Sequence, residues 1–236
     1  MTPEHVAQQL TEVGICLMRP AGLNACLGTD ADAWTRFAAH WEDLAPDPYA
    51  AELGTRRLRR YGHFLFSPAS GEFKPMAHDA FVQPQDSNPL YIDKDRQFEP
   101  LTDAFAKDPL LERILKLLGQ LAMALDDPSE WSAKVTPFRV LASTDGEGQP
   151  TPEGMHRDGV TLVTSLLILR RNALGGESTV TDMAGNRMLA STLREPGTLL
   201  LGDDRRTLHG VSAIRPRDPA QQAQRDVLVI TFAPSA

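Results

Sequence analysis

The chain has little cysteine, no long apolar run and no excess of positive charge, and each shortage removes a class of function. Its two cysteines in 236 residues, Cys16 and Cys26, both lie near the N-terminus. They are too close to that end to staple a fold, and nothing nearby completes a metal site with them, so both read as reduced and structural. No stretch approaches the roughly 18 apolar residues of a membrane-spanning helix. The opening MTPEHVAQQL also lacks the basic and apolar regions of a signal peptide, so a cytoplasmic location is expected. A formal charge of −7 argues against nucleic acid and anionic membranes as partners, because positive fields draw both. A small-molecule substrate remains, on a monomer or a homodimer. There is no internal repeat and no low-complexity tract.

At this length a hydrophobic content of 42% supplies one sizeable core and is short for two. A single domain over 1–236 is expected, with a mixed helical and β part at 1–130 and a β-rich core at 131–236. Val6, Leu10 and Val13 recur at helical spacing before Gly14 and lead into the strand-like ICLM. Asp30 fits the N-cap of a second helix carrying Trp34, Phe37, Trp41 and Leu44 as far as Pro46. RRLRRYGHFLF at 56–66 reads as one strand with its arginines on a solvated face. Asp108-Pro109 opens the longest helix signal, LLERILKLLGQLAMAL. After residue 130, KVTPFRVLAS, GVTLVTSLLIL, STVTD, GTLLLGD, GVSAI and RDVLVITF follow one another without intervening helices. That spacing predicts an α+β, mainly β fold, a jelly-roll barrel backed by N-terminal helices. Gly175-Gly176 is expected to form a tight hairpin turn, and 143–154 to be the most mobile loop.

The chemistry-bearing stretches are PEGMHRDG at 152–159 and LHGV at 208–211. His156 and Asp158 stand at the head of an apolar run, where a strand would turn both to one face because its side chains alternate. His209 could reach the same barrel mouth from an antiparallel neighbour. Two histidines and a carboxylate leave three octahedral positions open, the pattern of non-haem Fe(II) oxygenases, although zinc hydrolases use similar ligands. Oxygenation with a 2-oxo acid needs a cation for the far carboxylate, and a guanidinium matches it with two parallel hydrogen bonds. Arg225, at the head of the last strand, fits that task; Arg215 and Arg217 in IRPRDP are its rivals. His5, His40, His63 and His78 lack a carboxylate at ligand spacing and read as ordinary surface or core histidines.

PTPEGMHRDGVTLV, LRRNALGGEST, LGDDRRTLHGVSAI and QRDVLVITF together resemble the bacterial Fe(II)- and 2-oxoglutarate-dependent dioxygenases of the L-isoleucine hydroxylase type. The similarity extends to PFRVLAS at 137–143 and FVQPQDSNPLYIDKDRQF at 81–98. It implies a double-stranded β-helix, with His156, Asp158 and His209 holding Fe(II) as the catalytic centre, Arg225 holding 2-oxoglutarate, and O2 consumed. It further implies hydroxylation of a free aliphatic L-amino acid, or oxidation of methionine sulfur, with release of succinate and CO2. Gln83, Asn88, Arg96 and Arg139 match polar positions of that family and become the candidate substrate-binding residues. SNPLYIDKD lacks the paired glycines that the isoleucine hydroxylase has there, which leaves the substrate open. The alternatives are an oxygenase of peptide or protein side chains and a metal-binding jelly-roll without turnover. Retention of Arg225 beside the three ligands argues against the second.

Overall fold

The structure is a computed structural model that describes residues 1–78 and 96–235. Helix α1 (Pro3–Val13) is capped by the Thr2 side chain and stopped by Gly14 in the left-handed conformation, φ 86°. The chain then enters β1 (Ile15–Met18). Helix α2 (Pro20–Leu27) buries only Leu23 and Leu27; its apolar residues form no periodic stripe, so spacing alone conceals it. Helix α3 (Ala31–Ala38) starts at Asp30, whose carboxylate accepts the Ala33 N–H. It tightens into a 3-10 turn over Ala39–Asp43 that buries Trp41, followed by β2 (Ala45–Pro46) and α4 (Pro48–Glu52). The single strand expected at 56–66 is two, β3 (Arg56–Arg59) and β4 (Gly62–Ser67). The break falls where Tyr61 bridges to Pro100.

Strand β5 (Glu72–Pro75), the short α5 (Asp103–Ala106) and the expected long helix α6 (Pro109–Met123) complete the first half. The β-rich half contains β6 (Trp131–Ala142), β7 (Leu162–Arg171), β8 (Ala173–Gly175), β9 (Glu177–Asp182) and β10 (Arg187–Thr192). It continues with β11 (Leu199–Asp203), β12 (Thr207–Val211), β13 (Ile214–Pro216) and β14 (Ala223–Pro234). Among the described residues, nine strands form one antiparallel sheet in the order β1-β11-β7-β14-β6-β3-β2, with β4 joined to β6 and β5 to β4. A smaller sheet, β10-β9-β12, and the pair β13-β8 stand apart from it. The result is the expected jelly-roll with helices on one side.

Strand alternation gives the large sheet two unlike faces. Trp131, Ala133 and Val135 of β6, with Leu228, Ile230 and Phe232 of β14, join Val6 and Leu10 of α1 and the buried stripe of α6 in the main core. Each Leu, Ile or Phe so buried contributes roughly 1.5–3 kcal/mol, so this face anchors the barrel. On the other face Leu167, Leu200 and Val227 meet Val180 and Leu193 in a smaller cluster, which leaves room for polar groups beside it. Gly175 and Gly176 do take positive φ, 74° and 66°, but they close no hairpin. Strand β8 pairs with β13 while β9 pairs with β10 and β12, so the two glycines carry the chain from one strand pair into the next sheet. Among the described residues no helix is long and apolar enough to cross a membrane.

Candidate functional site

His156 and His209 are joined by the backbone itself, each N–H donating to the other's carbonyl at 2.9 Å. His209 sits within β12, but the expectation that His156 and Asp158 share one face of a strand is not met. Strand β7 begins only at Leu162, and a turn, not strand alternation, sets the Asp158 side chain. Buried Asp204 accepts the N–H groups of Asp158 at 3.1 Å, Gly159 at 2.8 Å and Val160 at 3.1 Å. Gly159 takes a φ of 74° there, a conformation that a side chain would disfavour.

His156 Nδ1 lies 3.0 Å from the Gly154 carbonyl. A carbonyl only accepts, so Nδ1 carries the hydrogen and Nε2 presents its lone pair. That nitrogen is 3.9 Å from Asp158 Oδ1, and His209 Nε2 is 3.6 Å from Asp158 Oδ2. One donor atom from each of the three residues lies within 4.8 Å of the others, so small shifts place all three around one ion at about 2.0–2.2 Å. Burial, opposed by Asp158 and aided by His156, holds His209 down at about 4; neutral imidazole is the metal-binding form. Burial and the Asp158 charge raise Asp204 to about 6 despite the three amides.

These atoms face an open cavity of about 150 Å³ between the two sheets. Its floor is the second face of the large sheet, where register places Arg225, Val140 and Arg57 in one row across β14, β6 and β3. Arg225 is 1% exposed, and its Nε and Nη2 have no hydrogen-bond partner among the described residues. Burial and the nearby Arg170 lower it to about 10, which leaves it cationic at neutral pH and suited to an anion. Gly176, at a φ of 66°, packs beside it: a Cβ there would fall 2.9 Å from both Arg170 Nη1 and Ile214 Cγ2 and would only touch Arg225 Cδ, at 3.5 Å.

Arg57, Arg59 and Arg96 are buried and line the same cavity. Arg57 Nε donates to Asp47 Oδ2 at 2.8 Å. The Arg59 guanidinium lies 3.5 Å over the Phe98 ring centroid and 4.7 Å from that of Phe138. Burial first, then the charge of Arg57, pulls Arg59 well below the usual arginine range, against the pull of Asp47.

Residues 38–231 match the family model described as 2OG-Fe dioxygenase. The chain belongs to the 2OG-Fe dioxygenase family. It is therefore an oxidoreductase of a family that uses Fe(II), 2-oxoglutarate and O2, and the two imidazoles and carboxylate fit that metal. A bsmA homolog from Methylobium petroleophilum PM1 superimposes with a TM-score of 0.92 at 36% identity, over 100% of this chain and 94% of that one. L-isoleucine-4-hydroxylase of Bacillus thuringiensis is 23% identical over 84% of this chain and 82% of its own. IDO from Bacillus thuringiensis matches with a TM-score of 0.82 at 18% identity, over 100% and 97% of the two chains, a likeness of fold.

The dioxygenase brings His156, Asp158, His209, Arg225 and Arg96 onto one cavity. Arg215 and Arg217 are exposed and do not line it. Arg139 is a correction: strand alternation turns Phe138 and Val140 inward and Arg139 outward, where it binds Asp226 at 3.0 and 2.9 Å and Glu42 at 2.8 Å. Gln83 and Asn88 lie outside the described residues. Arg57 and Arg59 correct the reading of 56–66 as a solvated face; their spacing of two, with Leu58 packed against the main core between them, is the signal that identifies an inward pair. Glu153, whose Oε1 is 3.3 Å from His156 Nε2, also lines the cavity. His40, for which spacing shows no carboxylate, meets Asp108 at 2.8 Å, beside α6 and away from the cavity lining.

Proposed function

We propose that this dioxygenase oxidises a free L-amino acid, with His156, Asp158 and His209 holding Fe(II) and Arg225 holding the far carboxylate of 2-oxoglutarate. When bound, these two groups with O2 supply the oxidation, coupled to conversion of 2-oxoglutarate to succinate and CO2. The chain's own residues bind, orient and exclude water. The observation that carries the reading is the row Arg225, Val140, Arg57: one cavity floor offers two guanidinium seats, with Arg59 and Arg96 beside the second. One seat takes the co-substrate carboxylate and the other the substrate carboxylate. Glu153, on the metal side of the cavity, is the acidic group that faces the substrate ammonium. The apolar lining of Phe138, Val140, Val227 and Val229 suits an aliphatic or thioether side chain, which the amino-acid hydroxylase relative also supports.

The test is succinate release with Fe(II), 2-oxoglutarate and a panel of free L-amino acids that includes methionine, alongside short peptides. Stimulation by one or a few free amino acids is the expected result, and a panel that responds only to peptides rejects the reading. For the responding amino acid, Arg59→Met raises its KM on the order of 100-fold, the scale of a lost charge-assisted pair of roughly 3 kcal/mol. Substrate-independent succinate release stays near the parent rate, because Arg225 is untouched.

A further inference from the structure

Asp204 is a buried carboxylate with no part in binding either organic molecule, yet it contacts both segments that carry the candidate ligands. It is 0% exposed. Its Oδ1 takes the Asp158 N–H and its Oδ2 those of Gly159 and Val160, while its own N–H donates to the Thr161 carbonyl at 3.0 Å. The same Oδ1 lies 3.6 Å from His209 Nδ1, just beyond hydrogen-bond length. That nitrogen has no hydrogen-bond partner among the described residues. His156 finds its orienting acceptor in the Gly154 carbonyl; for His209 the nearby acceptor is Asp204.

We propose that Asp204 is a positioning residue for the metal site, one carboxylate that fixes the Asp158 turn through three amides and orients the His209 ring through Nδ1. The inference rests on the reading that His156, Asp158 and His209 hold the metal. Residues 158–160 belong to no strand, so no ladder holds their amides, and the direction of the Asp158 side chain follows from what those amides bind. A carboxylate on the far nitrogen of a ligating histidine fixes its tautomer and raises its basicity, and losing such a partner costs about 10–100-fold in metal affinity. Adjacent Asp203 is an internal comparison: it is equally buried, but it binds Arg205.

The experiment is a Co(II) titration of the full chain, unaltered and as Asp204→Asn and Asp203→Asn, with thermal unfolding of each and proton NMR of the Co(II)-loaded forms. Asp204→Asn is expected to weaken Co(II) binding about 10–100-fold, whereas Asp203→Asn lowers the unfolding temperature and leaves Co(II) affinity as it was. In the Co(II) form the two Nδ1–H protons give strongly shifted, exchangeable signals. Asp204→Asn should move or lose that of His209 and spare that of His156. Parent-like affinity with both signals unmoved overturns the inference while leaving the metal reading intact. Failure of the unaltered chain to bind Co(II) rejects the metal reading and the inference with it. If Asp204→Asn does not fold, the unaltered Co(II) form still decides: solvent exchange of the His209 proton much faster than that of His156 rejects the role.

Discussion

Arg139 and Arg225 lie on adjacent strands one register step apart, and the step decides what each does. Arg225 is paired across the sheet with Val140 and faces the cavity; Arg139 is paired with Asp226 and faces the other way. The first keeps donors without partners among the described residues, while the second is held by two carboxylates. On the cavity face Arg225 keeps donors for a ligand; on the helix face Arg139 is satisfied internally and serves stability. A residue type identifies the chemistry available, and the face assigns it.

The sharpest way to break that comparison is to remove each arginine and ask which property falls. Arg225→Ala should weaken 2-oxoglutarate binding to the Mn(II)-loaded protein by about 3–5 kcal/mol, hence 100-fold or more, with metal affinity and unfolding temperature nearly unchanged. Calorimetric titration reads the two affinities and a thermal scan the unfolding temperature, and an unaltered 2-oxoglutarate affinity would remove Arg225 from the proposed co-substrate seat. Arg139→Ala should do the reverse. Among the described residues it leaves buried Asp226 only Gln224 as a side-chain donor, at 2.8 Å, which costs roughly 1–3 kcal/mol in urea unfolding, and 2-oxoglutarate affinity stays within about twofold of the parent, far below the several-kcal/mol loss of a buried partner. A substrate or co-substrate effect at Arg139 larger than its stability effect would mean that the two faces are not separate.

The smallest expected effect concerns Cys16, on the helix face in the main core. Burial pushes its thiol up to about 11 from an ordinary 9.0. The folded chain therefore keeps a proton that the unfolded chain releases, so this contribution to stability is complete below pH 9 and is lost as the pH rises toward 11. Cys16→Ala should flatten the decline in unfolding free energy over that window, and a slope identical to the parent's would contradict it. Across the same range, activity per folded molecule should not follow Cys16.

The candidate metal residues and Arg225 could be singled out because their chemistry is carried by short spacings: a His-x-Asp pair, a second histidine and an arginine leading a strand. The jelly-roll was legible from strand runs without helices between them. Arg57 and Arg59 were hidden inside a charge run whose bland reading is solvent exposure, and only the pairing of β3 with β6 turns them inward. Arg139 failed for the complementary reason, since a motif match fixes a position in the chain and not the parity of a strand. Asp204 carries no local signal at all: a carboxylate in a turn becomes a brace only when another loop presents three amides to it. Helix α2 was missed because burial of two leucines leaves no period to read.

The order of the large sheet has a consequence for how the protein is made. Strand β14, which follows β6 and β7 in sequence, lies between them and pairs with both along most of its length. On the ribosome, β6 and β7 must therefore wait side by side for a centre that has not been synthesised, a long-range closure of the slow-folding kind. Arg225 rides on that same strand, so a nascent chain that has emerged as far as His209 carries the three candidate iron ligands but not the proposed co-substrate seat. On the proposed roles, a chain short of β14 has the side chains to hold a metal but lacks the guanidinium that would hold 2-oxoglutarate.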